Sequence, residues 1–342
     1  MNVYINSAEQ ISAQEPLSNS WITDCKNYKG TNPVEIIDPD YKQYFSSQEI
    51  RRNCKLLRRA MLVATKAVEN SLLPNVDGVI TGTGLGAVTN TELFLKDLVY
   101  NGEECLKPSY FMQSTHNTVS SVIGITLKCN GYNSTYCHKG ISFESALLDG
   151  FIKIKANELN SIFLGGFDEV TPDYFTILEK SGYLGGSSTG FACGSAVGFV
   201  VSNIKNSNTF CEIISASMCY GSDAEILNQT FDYVLQQAKI TKDEITAVMT
   251  GINGNTENDE IYVKNLKAVG LEKPMLQYAD IFGECYTASA YGMYIAVQAF
   301  KNKEFAKISQ IDRNISLNSP KFILLYRHFK NKNHSFIVLK KC

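Results

Sequence analysis

The chain has 342 residues, the length of about two ordinary domains. Hydrophobic residues make up 44% and charged residues 19%, a balance that favours a large buried core and argues against disorder. The net charge of -2, without a basic run, predicts no nucleic-acid partner. The absence of a long apolar stretch predicts no membrane segment, and the first ten residues lack the pattern of a secretory signal, so we expect a cytoplasmic protein.

The cysteines and histidines favour neither a disulfide framework nor a metal site. The ten cysteines contain no C-x-x-C spacing, and several lie in apolar runs such as FACGSAVGF, which predicts buried, reduced thiols in a cytosolic protein. There are only four histidines, at 116, 138, 328 and 334, too few for a histidine-rich metal site. We therefore expect no metal and no cofactor.

The first part of the chain alternates short apolar runs with helical patterns. Ser46 begins S-S-Q-E, a capping-box pattern that predicts the start of a long helix with an apolar stripe at Leu57, Met61, Ala64 and Val68. Glycine punctuates the β-rich runs, one of which ends in a tight turn. The predicted strands are 3–7, 78–86, 161–169 and 190–202, and the predicted buried helices are 121–129 and 141–158.

The second part of the chain repeats this alternation. It predicts a helix at 224–238, a strand at 247–251, an apolar helix at 284–300 and a closing hairpin of 322–328 with 335–341. GVITGTGLG followed by TELFLKDL resembles AVMTGINGN followed by NDEIYVKNL, a faint internal repeat. These patterns predict an α/β protein whose helices cover its sheets, built from two similar halves at 1–204 and 205–342.

Several strings resemble the β-ketoacyl-acyl-carrier-protein synthases of the thiolase fold. They are GVITGTGLGAV, GGFDEVTP, TGFACGSAVGFVVS and the closing hairpin. The third parallels the family's D-G-F-x-x-G-E-G-A-G-x-x-V, although Ser195 replaces the glutamate. STHNT and S-F-E-S-A-L narrow the resemblance to the short ketosynthase-like proteins of aryl-polyene and flexirubin-type pigment clusters. The resemblance spans the chain and implies a thiolase-like five-layered α-β-α-β-α fold made of two similar halves.

The resemblance also locates the catalytic positions, and all three are substituted. In the family a cysteine at the start of a buried helix takes the acyl chain, and two histidines assist decarboxylation of the malonyl unit. Here these positions hold Gly140, Asn253 and Glu284. Glycine cannot attack, asparagine cannot carry a proton, and a carboxylate would repel a developing enolate. Glu284 can also be interpreted as a favourable anion at a helix N-terminus.

Other groups nearby leave alternatives open. Cys137 lies three residues before Gly140 and beside His138, so it is a plain loop cysteine, a displaced nucleophile or a regulatory thiol. His116, in STHNT, is either a histidine satisfied by its polar neighbours or a polar contact in a pocket or across a subunit interface. Either histidine could serve as the base for Cys137.

In that family the closing hairpin carries a flexible gate over the pocket, with the pattern F-G-F-G-G-x-N. Residues 327–333 here read R-H-F-K-N-K-N, so Phe329 and Asn333 stay in register as candidate substrate-binding residues. The loss of the glycines predicts a gate that is fixed, exposed or in contact with a partner.

Together these substitutions favour a non-condensing, chain-length-factor-type partner of an active ketosynthase in fatty-acid or polyene-type biosynthesis. One alternative is an active acyltransferase that uses Cys137, and another is a non-enzymatic homodimer that binds an acyl chain or a carrier protein. We expect a homodimer or a heterodimer with the active ketosynthase, and an acyl carrier protein is a candidate partner. Because residues 161–166 carry no charge, we expect them to form the edge strand of that interface, with 121–129 nearby.

Overall fold

The computed structural model describes residues 1–28, 31–104, 106–182, 190–302, 304–312 and 319–342. The strands found there are β1 (Tyr4–Ile11), β2 (Gly78–Gly82), β3 (Tyr132–Tyr136), β4 (Ser161–Asp168), β5 (Ser195–Ser202), β6 (Cys211–Tyr220), β7 (Ala247–Met249), β8 (Met275–Leu276), β9 (Phe322–Phe329) and β10 (Asn333–Lys341). The α-helices found there are α1 (Ser47–Arg52), α2 (Lys55–Ser71), α3 (Val88–Asn101), α4 (Pro108–Ser114), α5 (Thr118–Thr126), α6 (Ser142–Lys155), α7 (Pro172–Lys180), α8 (Ala224–Ala238), α9 (Thr256–Ala268), α10 (Ala279–Phe282), α11 (Ser289–Lys301) and α12 (Glu304–Ser309).

The strand order repeats in the two parts of the chain. The full order is β3-β2-β4-β5-β1-β6-β10-β9-β7-β8. The first set is β1–β5 and the second is β6–β10. In the first set, β1 pairs antiparallel with β5, β5 pairs antiparallel with β4, and β2 lies parallel to both β4 and β3. The second set repeats this arrangement, with β6 in the place of β1 and β10 in the place of β5. Among the described strands, the two sets pair with each other through β1 and β6, where Tyr4 pairs with Glu212 and Ile5 with Cys211. The division of the chain at residue 204 stays a prediction.

The helices complete five layers. Helices α6 and α11 lie between the two sets of strands, since α6 contacts β2 and β6 while α11 contacts β1 and β9. Their apolar side chains share one core with both sets. Helices α2 and α5 cover the outer face of the first set, and α8 and α9 cover that of the second. The predicted α-β-α-β-α architecture of two similar halves and the central position of both apolar helices are confirmed.

Two predicted helices differ in detail from the observed ones. Ser46 does cap a helix, with Glu49 completing the capping box, but α1 ends at Arg52 and the long helix α2 begins only at Lys55. The break falls at Cys54, whose backbone is extended and whose N–H donates to the side chain of Gln113. Helix α5 is only half-buried, because one face is turned away from the sheet.

The predicted edge strand is wrong. Strand β4 pairs with β2 on one side and β5 on the other, and Ile162 and Phe163 are fully buried. The lack of charge in residues 161–166 reflects burial of both faces of the strand rather than an assembly surface. Among the described strands the edge beside β2 is β3, whose sequence YNSTY is too polar to stand out as a strand. A charge at Ile162 or Phe163 would therefore disrupt the core and not test an interface.

The prediction of buried thiols is only partly right. All described cysteines are free, and Cys193, Cys211 and Cys285 are buried, but Cys137 and Cys342 are exposed and the others are half-buried. Cys105 lies outside the described residues.

Candidate functional site

Gly140 lies in the turn between β3 and α6 and is covered by the ring of Phe329. A Cβ atom added at Gly140 would lie 2.4 Å from Cδ2 of Phe329, far inside van der Waals contact. Gly140 is buried, and the neighbouring Lys139 has a φ of 53°, so the turn is sharp. The space that any side chain at position 140 would need is therefore filled by an aromatic ring.

The closing hairpin holds Phe329 in this position. Phe329 pairs with Asn333 across the turn, and its ring packs edge-on against Tyr286 with centroids 5.9 Å apart. The turn is closed by the Lys332 N–H, which donates to the Phe329 carbonyl at 3.2 Å. Both residues between them have a positive φ, 53° at Lys330 and 49° at Asn331. The backbone conformation that glycine favours thus persists without glycine.

A buried ion pair joins the hairpin to Glu284, the residue that the resemblance assigns to the second histidine position. Arg327 Nη2 lies 3.1 Å from Glu284 Oε1, and the two side chains are only 8% and 4% exposed. Tyr278 completes the cluster, since its hydroxyl accepts from Arg327 Nη1 at 2.6 Å and lies 3.4 Å from Glu284 Oε2. Burial raises the pKa of Glu284, and the Arg327 guanidinium opposes that rise. Because α11 begins only at Ser289, Glu284 is a counter-ion and not a helix-terminal anion.

Asn253 lies beside this ion pair, so the structure brings together Asn253 and Glu284, the two residues that the resemblance assigns to the family's histidine positions. A hydrogen bond from the Asn253 side chain favours the ionised form of Glu284 and lowers its pKa. The Asn253 side-chain oxygen accepts from the backbone N–H of Asn255 at 3.1 Å, and the Asn253 N–H donates to Asp259 at 3.0 Å. These contacts hold the amide in place but supply no group that gains and loses a proton near neutral pH.

A second carboxylate faces the same guanidinium. Glu144, on α6, is 3% exposed, and burial raises its pKa while the charge of Arg327 lowers it. The charge of Glu284 raises it again. One cation thus stands near two buried acids, and the charge of each carboxylate raises the pKa of the other while Arg327 lowers both.

A cavity of about 490 Å³ opens on this cluster. Its described lining includes Asn253, Asn258, Glu284, Arg327 and Phe329. Asn333, the other predicted substrate-binding residue, is not among the described lining residues. The cavity is large enough for part of a small organic ligand, and its inner wall is the closed ion pair.

The contacts found for the described residues do not include one between the Cys137 thiol and the His138 ring. Cys137 is exposed on the loop after β3, and partial burial of its sulfur together with the Asp168 carboxylate raises the pKa of the thiol. The Nδ1 of His138 lies 2.9 Å from Ser145 Oγ, and that hydroxyl donates to the Ile141 carbonyl. Neither residue is among the described lining of the cavity. His116 lies exposed between α4 and α5, beside Gly86.

The most heavily hydrogen-bonded carboxylate near the site was not singled out from the sequence. Asp168, at the end of β4, is fully buried and accepts from the backbone N–H groups of 84–86 and from the hydroxyls of Thr83 and Thr287. Thr287 in turn bonds Ser195, which stands in place of the family's glutamate. Burial raises the pKa of Asp168, and these hydrogen bonds oppose the rise. The available signal was an aspartate at the end of an apolar strand that contains two glycines, Gly165 and Gly166.

Solved structures of ketosynthases share this fold over the whole chain. "The ishigamide ketosynthase/chain length factor" superposes with a TM-score of 0.83 at 14% identity, covering 100% of this chain and 99% of that one. A type II polyketide ketosynthase in complex with its acyl-carrier protein gives 0.80 at 12% identity, with the same two coverages. A β-ketoacyl synthase from Burkholderia phymatum STM815 gives 0.81 at 10% identity, again with 100% and 99% covered. The chain therefore has the thiolase fold of the ketosynthases and chain length factors.

No protein-family model matches the sequence, and no curated protein is significantly similar to it. None of the helices in the described residues is both long and apolar enough to cross a membrane. The same residues contain no group of three or more metal-ligating side chains.

The contact between Gly140 and Phe329 can be tested by a double-mutant cycle. Gly140→Ala should lower the free energy of unfolding by about 1–3 kcal/mol, because its methyl group would meet the ring. In a Phe329→Ala background the same substitution should cost at least about 1 kcal/mol less. Urea unfolding of the four proteins measures both values. An equal cost in both backgrounds would show that the ring does not occupy this space.

His328, next to the ion pair, should make stability depend on pH. Burial and then the charge of Arg327 lower the pKa of His328 to about 3, whereas its unfolded value is near 6.5. As the pH falls below 6.5, His328 binds a proton in the unfolded chain but not in the folded chain, so the free energy of unfolding decreases. Relative to His328→Gln, wild type should lose about 2 kcal/mol between pH 7.5 and pH 5. Urea unfolding of both proteins across this range measures the difference, and parallel curves would contradict the assignment.

Proposed function

We propose that the chain is a non-condensing subunit of the chain-length-factor type, which pairs with an active ketosynthase. The observation that carries this proposal is the ring of Phe329 over Gly140. Condensation needs a nucleophile at the start of the buried helix, and here that position has neither a side chain nor room for one. The shared fold with "The ishigamide ketosynthase/chain length factor" supports the same class.

The Arg327–Glu284 ion pair supports the proposal independently. It links the position of the second histidine to the first position of the gate, two sites that the family uses for chemistry and for access. A buried pair of this kind holds the hairpin in one conformation, since breaking it would leave an uncompensated charge. The site is thus built to stay closed rather than to turn over substrate.

The surroundings of Cys137 give little support to the alternative enzyme. A reactive cysteine needs a lowered pKa or an adjacent base, and the pKa of this thiol is raised. His138 is engaged by Ser145. The remaining alternative is a homodimer that binds an acyl chain or carrier protein without catalysis. It differs from the proposal in its partner, so the experiment below distinguishes the two by whether an intact ketosynthase co-purifies.

The pairing surface that we propose is the face around the edge strand β3, defined by β3, α5 and α4. No described strand pairs with the outer edge of β3. Beside it, Ile125 on α5 is 77% exposed, and Phe111 and Met112 on α4 are 56% and 65% exposed. An open strand edge next to exposed apolar side chains favours association with another chain. The β3 face would bind the ketosynthase when that is present and a second copy otherwise.

Activity assays test the chemistry. Alone with acyl-carrier and malonyl-carrier thioesters, the chain should give no condensation above background. When it co-purifies with an intact ketosynthase, condensation should appear, and it should be lost when the partner's nucleophile is removed but not on Cys137→Ala. Condensation by the lone chain that Cys137→Ala abolishes would establish the enzyme alternative instead. A stable homodimer that captures no ketosynthase would favour the non-enzymatic one.

Light scattering tests the β3 face. Wild type should be a dimer at micromolar concentration that buries roughly 2,000 Å² or more in total. Ile125→Arg should yield a monomer, because it places a charge on the β3 face. The matched control is Ile226→Arg, which changes an isoleucine that is 37% exposed on α8, at the outer face of the second set of strands, and should leave the dimer intact. A monomeric wild type, or an Ile125→Arg dimer as stable as the control, would refute this surface.

A further inference from the structure

A second cleft lies where the two sets of strands meet, apart from the site described above. It is bounded by β1, the loop from β5 to β6 and the C-terminal part of α11, with the end of α2 at its rim. Its volume is about 310 Å³, at the lower end of the range for small-molecule sites. Most of its lining is polar, and it shares no described lining residue with the 490 Å³ cavity.

One side of the cleft carries a carboxylate without a cation partner. Glu9, on β1, accepts a hydrogen bond from Asn70 Nδ2 at 2.7 Å. Among the described residues no lysine, arginine or histidine lies within ion-pair distance of it, and the nearby Lys66 is paired with Glu69 at 2.7 Å. Burial raises the pKa of Glu9, so its negative charge is poorly solvated. A cationic group that entered the cleft would stabilise that charge.

The other side carries an ammonium without an anion partner. Lys301 ends α11, and its Nζ donates to the Asn208 carbonyl at 3.0 Å and lies 3.7 Å from the centroid of Phe210. No described carboxylate lies within ion-pair distance of Lys301, and burial lowers its pKa. The carbonyl and the ring hold the ammonium in place while leaving N–H donors for a further acceptor.

Polar groups on the wall between the two charges are fixed by contacts with one another. The Tyr294 hydroxyl donates to Asn19 Oδ1 at 2.6 Å, and Gln298, one turn along α11, is 7% exposed. We propose that this cleft binds a small zwitterion of amino-acid size, with its amine at Glu9 and its acid group at Lys301. A neutral ligand would cover both charges without compensating either, and a singly charged ligand would compensate only one.

Isothermal titration calorimetry on the full chain tests this proposal. The probes are the twenty common amino acids and γ-aminobutyrate, with butylamine and butyrate as matched ligands that carry only one of the two charges. At least one zwitterion should bind with a Kd of about 1 mM or tighter. Glu9→Gln and Lys301→Met should each weaken that binding at least about five-fold. The controls Glu272→Gln and Lys264→Met, which change residues away from the cleft, should leave it unchanged.

Three results would overturn the proposal. The first is that no zwitterion binds at a ligand concentration 10-fold above that Kd. The second is that both cleft variants bind the zwitterion with the same affinity as wild type. The third is that butylamine or butyrate binds as tightly as the zwitterion or more tightly. Thermal melts of each variant check folding. Since Lys301 is exposed, Lys301→Met decides the matter if Glu9→Gln proves unstable.

Discussion

The buried ion pair between Arg327 and Glu284 is the contact on which the candidate site depends. Removing two charges from water is costly, and the cost is offset only when each charge has close partners in good geometry. Here Tyr278 supplies the additional hydrogen bonds, at 2.6 Å to Arg327 and 3.4 Å to Glu284. The pair holds the end of β9 against the segment that leads into α11. Phe329 follows Arg327 by two residues, so fixing one places the other over Gly140.

Much of the fold could be predicted from the sequence because its elements have strong local patterns. The helix at 224–238 matches α8 at both ends, since its apolar residues recur at helical spacing and turn residues flank it. The edge strand could not be found, because polarity hides β3 while residues 161–166 of β4, which carry no charge, looked like an unprotected edge. Whether an apolar strand is an edge or an interior strand depends on its neighbours, which lie far away in the sequence.

The sequence could predict which positions of the candidate site are substituted, but not which residues contact one another there. The alignment of strings placed Gly140, Asn253 and Glu284 at the three positions, and the structure brings the last two together. It did not show that the ring of Phe329 covers Gly140 or that Arg327 pairs with Glu284. These partners are 189 and 43 residues away along the chain, beyond the reach of any local pattern. Asp168 was missed for the same reason, since its donors come from both halves.

The interlocking of these residues has a consequence for attempts to build a catalytic centre into this chain. A cysteine placed at Gly140 would collide with Phe329, whose ring edge lies 2.4 Å from the required Cβ atom. A histidine placed at Glu284 would deprive Arg327 of the carboxylate that it pairs with, and losing one member of a buried pair costs about 3–5 kcal/mol. That is a large share of the roughly 5–15 kcal/mol that stabilises a domain. Each single substitution toward a cysteine–histidine centre is therefore penalised on its own, so the substitutions would have to be introduced together with a new partner for Arg327 and a smaller residue at Phe329.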